Sequence, residues 1–200
     1  MPLTLVPTPI GNLEDIPLRA LRVLRNADLI ACEDTRTSSV LLRRYHIAAP
    51  LVPFHLHNEK ECLPRLMGAL RAGKSVAVVS DAGTPGVSDP GWILLRFALD
   101  EGLEADVLPG PSALLPALLL SGLTPHPFLF LGFPPEKPGA RGELFQSLRG
   151  VPWTLCFYIS PHKAVRQIAE MAEAWGDRRA ALVREISKVY QESIRSPLSG

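Results

Sequence analysis

The apolar positions of this chain change period again and again. Short runs suited to strands alternate with stripes at helical spacing. Residues 3–6 form a compact apolar run closed by prolines at 7 and 9, the signature of a first strand. Asp15 followed by Pro17 marks a helix start, with Asp15 as N-cap and proline in the first turn, and Leu18, Leu21, Val23 and Leu24 supply its stripe. Residues 29–31 read as a buried strand, and Val40, Leu41, Leu42 and Tyr45 as a second helix. Over residues 58–72, Leu63, Leu66, Met67 and Leu70 recur at helical spacing, and Gly73 is placed to end that helix in a left-handed conformation. The β-branched run 75–79 predicts a strand. A helix over 92–99 closed by Gly102 and a strand over 105–108 follow.

The second part repeats the alternation less regularly. Strands are expected at 128–131, 153–158 and 180–186, and a helix over 161–175 with Val165, Ile168, Ala169 and Ala172 on one face. The Pro/Gly-rich stretch 133–142 reads as a surface loop that exposes Glu136, Lys137 and Arg141, and Ser160 as the cap of the helix beginning at Pro161. Strand–helix alternation of this kind predicts an α/β fold. The expected architecture is two α/β domains, 1–110 with a mainly parallel sheet and 111–200 with a mixed sheet, joined near 109–112.

Composition narrows the class of protein. With 46% hydrophobic and 20% charged residues in 200, the chain has the balance of a globular protein. Its formal net charge of +1 excludes binding to nucleic acid through a global basic excess, so any RNA contact must come from a local patch. Cys32, Cys62 and Cys156 are odd in number, far apart and in no CxxC pair, as expected of reduced thiols rather than of a disulfide framework or zinc site. The N-terminus lacks the basic and apolar regions of a secretory signal. The longest apolar run, 113–120, contains Pro116 and is too short to span a bilayer. A soluble cytoplasmic protein without metal is the expectation.

Several motifs fail on context. Residues 68–75 match the Walker A pattern, but a helix precedes the loop and a strand follows it, the reverse of what phosphate binding at a helix N-terminus needs. Ser160 to Lys163 match SxxK without the accompanying elements of that enzyme class. His55 and His57 lack a third ligand at convincing spacing. No GxGxxG occurs, so a Rossmann dinucleotide site is unsupported.

Three Gly/Pro-rich loops fall at predicted strand ends, where α/β proteins bind ligands: 7–13, 80–91 and 109–113. Glycine permits close backbone approach and proline fixes the loop shape. Ser112, ahead of an apolar helix, is placed to cap it or to donate to a ligand. Taken in order, the runs Thr8-Pro-Ile-Gly-Asn-Leu13, Cys32-Glu-Asp-Thr-Arg36, His57-Asn-Glu59, Ser80-Asp-Ala-Gly-Thr-Pro85, Ser88-Asp-Pro-Gly91, Pro109-Gly-Pro-Ser-Ala113 and Ser121-Gly-Leu123 resemble the tetrapyrrole-methylase (class III) family of S-adenosylmethionine-dependent methyltransferases. They are most similar to its branch that methylates small-subunit ribosomal RNA. The similarity continues through Leu131-Gly-Phe133, Phe157-Tyr158, Ser160-Pro-His162 and Arg184-Glu185, and spans essentially the whole chain.

The resemblance implies a homodimer of two-domain subunits with S-adenosylmethionine in a cleft between the domains. It assigns cofactor contacts to Ile10, to Asp81, Gly83, Thr84, Pro85 and Val87, and to Ser112 and Ala113. Thr84 stands where the wider family has the aspartate of a Gly-Asp-Pro, and this favours an RNA ribose 2′-hydroxyl over a corrinoid. The chain departs from the related pattern at Ile159, where that pattern has glutamate, and at Ile186 and Ser187 in the segment ending in Lys188. Relatives continue beyond the point matching Gly200, so the second domain is expected to be incomplete. A ribose hydroxyl is a poor acid, and the residues considered for accepting its proton are Glu33, Asp34, Asp81, Glu185 and Lys188. Glu33 and Asp34 are preferred because they follow a strand at the ligand end of the sheet, with a helix N-cap as their alternative role. Lys188, Arg36, Arg43, Arg44 and Arg141 are candidate phosphate contacts. The functions left open are a ribosomal RNA 2′-O-methyltransferase on a cytidine, a tetrapyrrole or corrinoid methyltransferase, and a non-catalytic domain that binds cofactor or RNA.

Overall fold

In the computed structural model, which describes residues 2–199, the chain divides into two units, Met1–Ser112 and Ala113–Gly200. The first unit is built on five short parallel strands: β1 (Leu3–Leu5), β2 (Leu29–Cys32), β3 (Leu51–Pro53), β4 (Val76–Val79) and β5 (Ala105–Val107). Their order across the sheet is β3-β2-β4-β1-β5, with Leu3 in register with Val76 on one side and with Ala105 on the other. Helices α1 (Leu18–Asn26), α2 (Thr35–Arg44), α3 (Glu59–Arg71) and α4 (Trp92–Asp100) connect them.

Strand side chains alternate between the two faces. Ile30, Cys32, Ala77 and Val79 therefore pack with Ala20, Leu21 and Leu24 of α1 and Leu41 and Leu42 of α2. Leu3, Leu5, Ala31, Val76 and Val78 pack on the other face with Leu66, Met67 and Leu70 of α3 and Leu94 and Ala98 of α4. A sheet covered on both faces needs continuously apolar strands, and β4 is buried at every position. The connections leaving β1 and β2 turn to one face, and the connection leaving β4, which lies between them, turns to the other. That reversal opens a crevice at the carboxyl ends of these three strands.

In the second unit, α5 (Leu114–Leu120) leads to β6 (Phe128–Phe130), α6 (Pro138–Ser147), β7 (Thr154–Cys156), α7 (Ala164–Trp175), β8 (Arg179–Arg184) and β9 (Glu192–Pro197). Both strand senses occur, as separate ladders: β6 pairs β7 in parallel and β8 pairs β9 antiparallel. Phe145, Met171 and Ala174 form its core, packed by Phe157 and Trp175.

Several expectations need correction. Asp15 is not the cap of α1; it closes a short 3-10 turn, and Pro17 holds the N-cap position. Ser160 precedes another 3-10 turn and makes no capping bond through its side chain, and the N-cap of α5 is Ala113 rather than Ser112. The inner face of α7 is Gln167, Met171 and Ala174, while Val165 is 86% exposed. A polar glutamine in the middle of the stripe conceals it from an apolar count. The predicted loop over 133–142 ends in α6, started by Pro138, whose fixed φ suits a first helical turn. Arg141 is wholly buried there, with its guanidinium on the Glu170 carboxylate and on the carbonyls of Pro135 and Glu136, which removes it as a phosphate contact. Strands β3 and β9 were not expected, because the first is short and proline-ended and the second is polar. The helix-to-strand order at Gly73 is as expected, with Gly73 at φ +76° and Lys74 N–H donating to Ala69.

Candidate functional site

The loops after β1, β4 and β5 are bonded to one another at the crevice. Thr8 and Gly83 exchange backbone hydrogen bonds of 2.9 Å each way, and Thr8 Oγ1 donates to the Ser80 carbonyl at 3.0 Å. Thr84 Oγ1 donates to the Pro111 carbonyl at 3.2 Å. Gly83 lies at φ +83°, and a Cβ there would enter the space between Ile10 (3.6 Å) and the Pro111 carbonyl (3.8 Å). At Gly110 a Cβ would lie 2.4 Å from Cγ of Pro7, so close approach of two rigid segments requires glycine. At the far end of the β4 loop, the buried Glu59 carboxylate accepts the Gly91 N–H at 2.8 Å and fixes the start of α4.

The β2 loop joins this assembly through its acids, since Asp34 N–H donates to Asp81 Oδ1 at 3.1 Å. Four carboxylates, Glu33, Asp34, Asp81 and Asp89, thus line one crevice in differing environments. Asp34 caps α2 by accepting the Arg36 N–H at 2.7 Å, and the hydrogen bonds from the Arg36 side chain hold its carboxyl down at about 2. Burial pushes Asp81 above the ordinary carboxylate value, against the lowering effect of the Asp34 N–H. Burial, reinforced by the charges of Glu33 and Asp81, pushes Asp89 up to about 6. A carboxylate with that proton affinity is matched to proton transfer near neutral pH; one held at about 2 is a poor base.

The sequence-derived residues fall in two groups. Glu33, Asp34, Ile10, Asp81, Gly83, Thr84, Pro85, Val87 and Ser112 belong to the first unit, and the structure gathers all but Ser112 around the ends of β1, β2 and β4. Pro85 is buried and Val87 is 65% exposed. Ala113 opens the second unit, and Lys188 lies in its β8–β9 turn, with Nζ 3.1 Å from Glu185. Asp89 was not singled out from sequence. Its signal, an acid inside the glycine-rich loop after the central strand, was present but indistinguishable from turn chemistry. Among the described residues no group of three or more metal-ligating side chains is suited to hold a metal ion, and no helix is long and apolar enough to cross a membrane.

Fold and site together define a doubly wound α/β protein with clasped loops at the carboxyl ends of its strands, the place where such sheets bind ligands. Residues 2–200 match the family described as Tetrapyrrole (Corrin/Porphyrin) Methylases, and the chain belongs to that family. Over 191 residues it is 51% identical to Ribosomal RNA small subunit methyltransferase I of Mesorhizobium japonicum, covering 95% of this chain and 65% of that protein. The protein of the same name from Streptococcus pyogenes serotype M1 is 43% identical, with 98% and 69% covered. That from Thermotoga maritima is also 43% identical, with 98% and 88% covered. The chain thus spans about two thirds of the length of the first two. Among solved structures, diphthine synthase superposes with a TM-score of 0.73 at 19% identity, covering all of this chain and 83% of the other. Uroporphyrin III C-methyltransferase from Thermus thermophilus gives 0.69 at 22%, covering 99% and 89%. At these identities the structural likeness speaks for the fold.

Proposed function

We propose that the chain is an S-adenosylmethionine-dependent methyltransferase acting on small-subunit (16S) ribosomal RNA, and that its acceptor is a cytidine ribose 2′-hydroxyl. The observation that carries this reading is the set of three clasped loops at the switch point, with Thr84 in the segment Gly83-Thr84-Pro85 bonded to Pro111. The names of the relatives at 43–51% identity support the RNA substrate. Ile10, Gly83, Pro85 and Val87 would hold the cofactor by backbone and apolar contact, with Ser112 and Ala113 following in the chain.

Charge favours the same ligand. Glu33, Asp34, Asp81 and Asp89 give the crevice a carboxylate excess, against which Arg36, paired with Asp34 and also felt by Asp81, sets a single positive charge. Such a surround stabilises a sulfonium cation more than a neutral thioether. When bound, S-adenosylmethionine supplies an activated methyl group, whose transfer breaks a C–S bond, forms a C–O bond and leaves S-adenosylhomocysteine. The chain supplies position and a proton acceptor. Asp89, ionised above about pH 6, takes the hydroxyl proton, and Glu33 and Asp81 keep its proton affinity high. Asp34 holds α2 and Arg36 in place. The working unit is a homodimer in the cytoplasm, with the small ribosomal subunit as substrate.

The deciding experiment is transfer of tritiated methyl to small ribosomal subunits lacking their ribose methylations, followed by nuclease mapping. Label on one ribose oxygen of a cytidine is the expected result. Label on a base, or on a porphyrin-type acceptor offered in parallel, would refute the assignment of acceptor.

A further inference from the structure

The second unit carries an aromatic cluster that its core does not use. Strands β6 and β7 stay paired beyond their ends, with Leu131 N–H on the Cys156 carbonyl at 3.0 Å and Tyr158 N–H on the Gly132 carbonyl at 2.9 Å. The pairing brings Phe133 and Tyr158 to one end of the ladder. Tyr158 meets Phe130 edge-on at 4.9 Å between ring centroids and Phe133 in a tilted contact at 5.5 Å. Phe133 is nonetheless 57% exposed. A large ring left in solvent against Tyr158, which Phe130 backs in turn, is an apolar surface that the core of this unit does not use.

The surroundings of the ring are cationic. The segment after Phe133 is stiffened by Pro134 and Pro135 and tied down by Arg141, which donates to the Pro135 and Glu136 carbonyls at 3.0 and 2.9 Å. Lys163, in the turn after β7, reaches Glu136 at 2.5 Å. The Glu136 carboxyl is held below its ordinary value by Lys163 first, with Arg141 and Arg166 adding to it. With Arg141 buried on Glu170, the remaining cations of these segments are Lys137, Lys163 and Arg166, and Lys163 pairs with Glu136 while Arg166 shares Glu170 at 3.7 Å. An exposed aromatic face, with cations on the segments that follow it and that follow β7, matches an unstacked base with its phosphates, the way proteins hold single-stranded RNA.

We propose that Phe133, braced by Tyr158, is a base-stacking platform for an unpaired nucleotide of the RNA substrate, with Lys137, Lys163 and Arg166 beside its phosphates. The proposal rests on the reading that the substrate is RNA and adds where one nucleotide is held. The test uses the full chain and a short single-stranded oligoribonucleotide carrying one 2-aminopurine, whose fluorescence is quenched on stacking. Wild type and Phe133→Tyr are expected to bind and quench. Phe133→Ala and Phe133→Leu are expected to bind about tenfold or more weakly and to lose the quench. Lys137→Ala is expected to flatten the slope of log affinity against log salt by about 0.7.

Wild-type affinity and quenching in Phe133→Leu would overturn the proposal, because leucine keeps the apolar contact and removes the stacking face. Failure of the wild-type protein to quench the probe would overturn it as well. So would unchanged RNA binding with an altered sedimentation coefficient in Phe133→Ala, which would make the ring a protein contact. S-adenosylhomocysteine binding, measured by calorimetry on the same samples, reports separately on the methyltransferase reading, and it is expected to be equal in all these variants.

Discussion

Replacing Asp89 by asparagine tests the electrostatics of the crevice without relying on the chemistry assigned to it. Asparagine keeps the shape and the acceptor oxygen toward Ser80 and removes the ionisation. A carboxyl raised from an ordinary 3.8 to about 6 corresponds to about 3 kcal/mol of penalty on the charged form, at about 1.4 kcal/mol per pH unit. Asp89 is only partly buried, and solvent screening reduces this to about 1–2 kcal/mol. The sign follows from linkage: the native state disfavours the ionised form, so the penalty is fully present above about pH 6. It fades between about 6 and 3.8 and vanishes where both folded and unfolded chains are protonated. Asp89→Asn is therefore expected to melt about 2–8 °C higher than wild type at pH 8 and at nearly the same temperature at pH 4. Thermal melts by circular dichroism at the two pH values decide it. An Asp89→Asn advantage that grows on acidification, or none at pH 8, would refute the reasoning. If Asp89 also takes the ribose proton, the same variant loses about 100-fold or more in methyl transfer while becoming more stable.

Other perturbations follow from the same geometry. Gly110→Ala drives a Cβ to 2.4 Å from the Pro7 ring and is expected to lower stability by about 1–3 kcal/mol and weaken S-adenosylhomocysteine binding in calorimetry. Gly68→Ala, in a helix with nothing near its Cβ, is expected to raise stability by about 0.5–1 kcal/mol in the same urea titrations. Leu66→Ala removes a wholly buried side chain between α3 and the sheet and should cost about 3–5 kcal/mol by urea titration. Asp34→Asn should retain more methyl-transfer activity than Glu33→Gln, because Asp34 serves α2 and Arg36 while Glu33 acts on Asp89. The affinity of S-adenosylmethionine should rise from pH 5 to pH 7.5, on the order of tenfold, as Asp89 ionises, while that of the uncharged-sulfur product changes little.

Much of the first unit is legible in its residues because its signals are redundant. Strands β2 and β4 are short apolar runs, each helix has an apolar stripe, and Gly73 and Gly102 sit at positive φ just beyond α3 and α4, while the short, proline-ended β3 is the strand that stays hidden. Strand order is not legible locally: nothing in the sequence of β4 says that it inserts between β2 and β1. The second unit reads less well because its stabilising groups are polar. Arg141 looks like a solvated cation and is a buried tether; Gln167 looks like surface and faces the core. Neither can be distinguished from an exposed side chain by residue type, since what buries it is a partner distant in sequence. The site shows the same division. The glycines and prolines of the three loops announce close backbone approach, but the bond from Asp34 N–H to Asp81 spans 47 positions and has no local trace.

One crevice holds carboxylates of opposite character because their immediate surroundings differ. Asp34 has a nearby guanidinium and backbone N–H groups to accept from, so its charge is stabilised and its proton is lost at about 2. Asp89 is desolvated and faces two other acids, so its proton is held to about 6. The two therefore differ by about four pH units although both are aspartates in loops that leave strands of one sheet. An arrangement that separates titrating groups in this way assigns them distinct tasks. The low carboxylate is a permanent charge, fixed in direction by Arg36 and suited to holding structure. The high one can exchange a proton at physiological pH. Asp81 links the two, accepting from the Asp34 backbone while its charge raises Asp89. Replacing Asp81 by a neutral residue would leave Asp34 capping α2 and would lower the proton affinity of Asp89, because one of the two charges that raise it would be gone. The division of roles is thus set by environment and not by residue type: of Glu33 and Asp34, adjacent in sequence, Asp34 caps α2 while Glu33 raises Asp89.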